Sequence, residues 1–77
     1  MQTIKINIEQ TANGYEFTNG NISVASIREY KRGTFNLMAA HKPFGVVDSL
    51  AMAFEVLGDK IEALFGALGL NVEFVNA

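Results

Sequence analysis

Val47, Leu50, Phe54, Leu57, Ile61, Leu64 and Leu68 stand at alternating intervals of three and four residues. That spacing brings side chains to one face of an α-helix. The stripe covers about 33 Å at 1.5 Å per residue. A helix this long and apolar needs a cover, which is either a sheet from the same chain or a second copy of it.

The chain has 77 residues and no cysteine. At that size one hydrophobic core only just offsets the entropy of ordering the backbone, and neither a disulfide nor a thiolate metal site can reinforce it. Residues 1–77 are therefore expected to form a single domain. Hydrophobic residues make up 49% and charged residues only 18%, which is rich for a body with so much surface, and self-association would cover the excess. A net charge of −2 argues against general polyanion binding. Polar and apolar residues alternate at the N-terminus, unlike the continuous apolar core of a secretory signal. Asp48, Glu55, Asp59, Lys60 and Glu62 interrupt the greasiest stretch, so a membrane span is not expected. The expected setting is the cytoplasm.

Strand signals fill the N-terminal half. Ile4, Ile6 and Ile8 alternate with Lys5, Asn7 and Glu9, and Tyr15 and Phe17 alternate with Glu16 and Thr18. Ile22 and Val24 alternate with Ser23 and Ala25, and Asn13-Gly14 and Asn19-Gly20 mark tight turns between these runs. Residues 26–33 read two ways: Ser26 and Glu29 fit a capping box of a short helix, whereas Ile27 and Tyr30 extend the third strand, which the balance favours. A fourth strand follows, with Phe35, Leu37 and Ala39 inward. His41-Lys42 then leaves the sheet, Pro43 suits the first turn of a helix beginning near residue 44, and Asp48 complements its dipole.

Gly58-Asp59 raises the question of a kink or break in this helix. The three-four rhythm continues in phase across Gly58 and favours one helix, with the glycine at a close contact. Gly66 and Gly69 end it, and residues 71–75 read as a last strand at the sheet edge or beside the first strand. The expected fold is α+β in the order ββββαβ: four to five antiparallel strands packed on one long helix.

Candidate sites are surface features. Glu55, Asp59 and Glu62 share one side of the helix and form an acidic face able to dock a basic partner. Met52, Val56 and Ala63 flank the stripe with more apolar surface than one small sheet needs, and mark the expected self-association face. Arg28, Lys31, Arg32 and Lys42 give residues 28–42 a formal charge of +3. This basic tip has Tyr30 and Phe35 nearby, for contact with phosphates and bases. No catalytic, cofactor-binding or metal-binding residues are expected. His41 is the only histidine, Gly45 stands alone rather than in a phosphate loop, and Ser23, Ser26 and Ser49 lack the flanking glycines of a nucleophile elbow.

The expectation is a non-enzymatic protein-binding module, an inhibitor or adaptor that forms a homodimer and takes a protein partner. The alternatives are a nucleic-acid-associated protein using segment 28–42 and a structural homo-oligomer. In size, acidity and lack of cysteine the chain is similar to phage-encoded inhibitors of bacterial defence, such as anti-CRISPR proteins, that act by occlusion. That similarity is of general character and transfers no residue.

Overall fold

A computed structural model describes residues 2–76. The elements are β1 (Thr3–Thr11), β2 (Gly14–Asn19), β3 (Ile22–Lys31), β4 (Thr34–Ala39), β5 (Lys42–Val47), α1 (Leu50–Gly66) and β6 (Asn71–Asn76). They form an α+β fold in which one six-stranded sheet, ordered β5-β4-β3-β2-β1-β6, carries one helix. β1 to β5 make an antiparallel meander, and β6 pairs parallel with β1, with Ile4 beside Val72 and Ile6 beside Phe74. The chain therefore leaves one edge of the sheet at β5, crosses over as α1, and returns at the opposite edge as β6. A parallel pairing needs such a crossover, because a tight turn cannot reverse the chain into the same direction.

Two expectations are corrected here. Lys42 to Val47 form a fifth strand instead of the first turns of a helix, and the sheet is mixed. Pro43 is tolerated because β5 is an edge strand, where a missing N–H costs little. The helix starts at Leu50, where the Ser49 hydroxyl accepts a hydrogen bond from the Met52 N–H at 3.1 Å, the usual means of satisfying a free donor in a first turn. Asp48 lies outside the helix, and Val47, the first residue of the sequence stripe, belongs to β5. Residues 26–31 continue β3, as the strand reading expects.

The helix runs unbroken through Gly58. The expected close contact there is absent: the nearest heavy atom to a β-carbon placed on Gly58 is Phe74 Cζ, 4.0 Å away. Close approach occurs at Gly14 instead, where a β-carbon would stand 1.8 Å from the Ile27 carbonyl oxygen.

Ile6, Phe17, Ala25, Ile27, Leu37 and Ala39 from the sheet and Ala53, Leu57 and Ile61 from the helix form the buried core. Phe54 leans aside from this axis, edge-on to Tyr15 at 4.9 Å between ring centroids and tilted against Phe17 at 5.9 Å. Phe17 in turn meets Phe74 edge-on at 6.2 Å. These separations and angles fall in the favourable range for aromatic pairs.

Candidate interaction surfaces

One helix cannot cover this sheet. Six strands span about 24 Å at 4.8 Å per strand, whereas a helix is about 10 Å wide. Parts of the apolar face therefore lie bare beside α1, and the interaction surfaces follow from where they lie.

One bare region flanks the C-terminal end of α1. Ile22 and Val24 at the start of β3, Ala40 in the β4–β5 turn, and Leu64, Phe65 and Leu68 at the helix end enclose a hollow of about 350 Å³. Leu68 is 72% exposed, Ile22 63% and Leu64 39%. Leu64 and Leu68 are the last two members of the sequence stripe, so the stripe is buried in its middle, at Leu57 and Ile61, and uncovered at its end. Leu68 lies past the last helical residue, in the turn that Gly69 closes with φ +77°.

The turn bordering this hollow is strained. Ala40 and His41 both have positive φ, 53° and 63°. A two-residue hairpin loop of this kind needs positive φ at both central positions, which is why asparagine and glycine dominate it; alanine there costs about 1–2 kcal/mol.

The outer face of α1 carries the expected acidic group. Glu55, Asp59 and Glu62 are all exposed, as are Ala63 and Met52, with Met52 at 49%. Val56 differs from its expected place: it is half-buried and packs against the core. Lys60 turns away toward the sheet edge, its Nζ 5.2 Å from the centre of the Phe44 ring. Phe44 is the extra residue of a bulge, since Gly45 pairs with Leu37 while Pro43 pairs with Met38; such bulges re-aim a side chain.

The basic residues are divided. Arg28, Lys31 and Arg32 are exposed around the β3–β4 turn, where Tyr30, 55% exposed, is the extra residue between Glu29 and Lys31. The Glu29 carboxylate accepts a hydrogen bond from the Gly33 N–H at 2.9 Å and ties that turn together. Lys42 starts β5 at the other end of the hairpin, next to Ala40-His41, and adds nothing to this tip.

On the sheet face away from the helix, Glu16, Ser23, Ser26, Arg28, Met38 and His41 line an open depression of about 250 Å³. Among the described residues no hydrogen bond joins His41 to Ser23 or Ser26, and no group of three His, Cys, Asp or Glu residues is placed to hold a metal ion. Among the described residues no helix is long and apolar enough to cross a membrane.

Sequence reasoning missed the hollow because Ile22 and Val24 read as an ordinary strand, and nothing local shows that the sheet outruns its helix. The available signal was excess length: the stripe continues past the Gly66 helix stop. No protein-family model matches the chain, and no curated protein or solved structure matches it.

Proposed function

We propose that this chain is a small non-enzymatic protein-binding module of the cytoplasm, an inhibitor or adaptor that acts by covering a partner's surface and that itself forms homodimers. The observation that carries the reading is the outer face of α1, where Met52, Glu55, Asp59, Glu62 and Ala63 are exposed together on a helix anchored by Ala53, Leu57 and Ile61. A helix held this way presents its side chains at fixed spacing, and contacts built on rigid elements are more precise than those built on loops. Three carboxylates on one side complement a basic partner and steer its approach, while Met52 adds apolar contact. Self-association is supported by the large side chains left exposed, Ile22, Leu64 and Leu68 among them.

The test is affinity capture from a host lysate with the wild-type chain and with a variant in which Glu55, Asp59 and Glu62 are replaced by lysine. Partners retained by the wild type and lost by the variant are expected. Recovery of the same partners by both defeats the acidic docking face.

A second reading, nucleic-acid contact through residues 28–42, is favoured by Tyr30 projecting beside Arg28, Lys31 and Arg32. The division of the basic residues, with Lys42 at the far end, weakens it. It requires binding of mixed oligonucleotides that falls steeply with salt, and no binding even at low salt defeats it.

A further inference from the structure

We infer that the hollow between the C-terminal end of α1 and the start of β3 is the homodimer interface, occupied by the same surface of a second copy related by a two-fold axis. This rests on the self-association part of the function proposed above and deepens it: the sequence puts self-association at Met52, Val56 and Ala63, whereas the apolar hollow lies at Ile22, Leu64 and Leu68.

Three observations select a second copy as the occupant. The first is shape. A two-fold interface uses one patch on both partners, so the patch must hold both a projection and a recess. Leu68 and Ile22, 72% and 63% exposed, stand at the rim of the recess of about 350 Å³ that they share with Val24, Ala40 and Phe65. Leu68 of each copy can therefore enter the recess of the other.

The second is charge. Near a two-fold axis like meets like, so a self-associating patch cannot carry charge at its centre. The lining holds no carboxylate, ammonium or guanidinium group, and His41 is its only titratable residue. The acidic face of Glu55, Asp59 and Glu62 would instead set three carboxylates against three of their own kind.

The third is area. The accessible surface is 5098 Å² and the body measures 40 × 22 × 20 Å. A compact monomer of 8.4 kDa exposes about 4,600 Å² by the scaling of surface with mass. The chain thus exposes about 500 Å² more than a monomer of its mass. Two copies that each cover this excess bury about 1,000 Å² in total, the lower bound for a specific interface. The recess supplies the apolar centre of such an interface.

The experiment is sedimentation equilibrium of the full chain from about 1 µM to 1 mM, on the wild type and on Leu68→Glu, Leu64→Glu and Met52→Glu. The expected result is a wild-type dimer, association at least ten-fold weaker in both leucine variants, and no change in Met52→Glu. Circular dichroism of each variant reports its fold. Because the chain has no cysteine, Leu68→Cys supplies a second readout that perturbs packing little: a thiol reagent should label it more slowly as protein concentration rises through the association range, whereas Met52→Cys should label at a constant rate. A wild type that stays monomeric throughout overturns the inference and leaves partner capture by the acidic face to stand or fall separately. A dimer that resists both leucine variants but is broken by Met52→Glu, or by Val46→Lys at the β5 edge, keeps self-association and overturns its placement here.

Discussion

Phe74 on β6 faces Gly58 on the helix, its ring Cζ 4.0 Å from where a β-carbon on that glycine would stand. Ile8, Phe17, Phe54 and Phe74 surround the space left there, an apolar hollow of about 220 Å³. The glycine is a gap in the packing, since no atom comes close enough to require it.

Gly58→Ala is therefore expected to stabilise the fold. Alanine is favoured over glycine in a helix interior by about 1 kcal/mol, and the added methyl meets Phe74 at an ordinary contact distance. Thermal unfolding followed by circular dichroism should show a rise of about 4–8 °C, the shift that 1 kcal/mol gives in a domain of this size. A fall would show that the helix cannot accept a side chain at that point.

Gly14→Ala is expected to act in the opposite sense. Its methyl would stand 1.8 Å from the Ile27 carbonyl oxygen, so β2 and β3 must separate where they pair. Overpacking of this kind costs about 3 kcal/mol, and urea unfolding should show a midpoint lowered accordingly. Equal stability of the two proteins would mean that the strands part without loss.

The β4–β5 turn holds alanine and histidine where both backbone angles are left-handed. Replacing Ala40-His41 by Asn-Gly is expected to add about 1–2 kcal/mol, because asparagine tolerates the left-handed region and glycine has no β-carbon to clash there. The same urea titration checks it, and an unchanged midpoint would count against strain in the turn.

Leu57 and Leu68 belong to one sequence stripe and should behave differently on substitution. Leu57 is fully buried, so Leu57→Ala should cost about 2–5 kcal/mol. Leu68 is 72% exposed, and Leu68→Ala should change the stability of the dilute monomer by no more than about 0.5 kcal/mol. Chemical denaturation at low protein concentration separates the two, and similar losses at both positions would contradict the uncovered end of the stripe.

Strand alternation made β1 to β4 legible, because isoleucine, phenylalanine and leucine at every second position leave one buried face and one wet one. β5 was not legible. Its sequence Lys42-Pro43-Phe44-Gly45-Val46-Val47 has no clean alternation, and the turn before it lacks the asparagine and glycine that signalled the first two turns. The centre of the helix was misjudged by one residue: Ala53 is fully buried and Phe54 only half so. The small side chain lets the helix backbone approach the sheet, while Phe54 reaches sideways to Tyr15 and Phe17. Of the candidate site, the acidic face was legible from helical spacing alone, and Lys42 was grouped with the basic tip only because it lies near it in sequence.

The sequence by itself determined the α+β class, the four alternating strands, the helical stripe and the three carboxylates along it, since each depends on residues within a few positions of one another. Tertiary structure alone decided that the last strand returns parallel beside the first, that Ala53 on the helix is buried against the sheet, and that Leu64 and Leu68 remain uncovered. These depend on how far one helix reaches across six strands. That is a matter of widths and crossing direction, which no local pattern of side chains encodes.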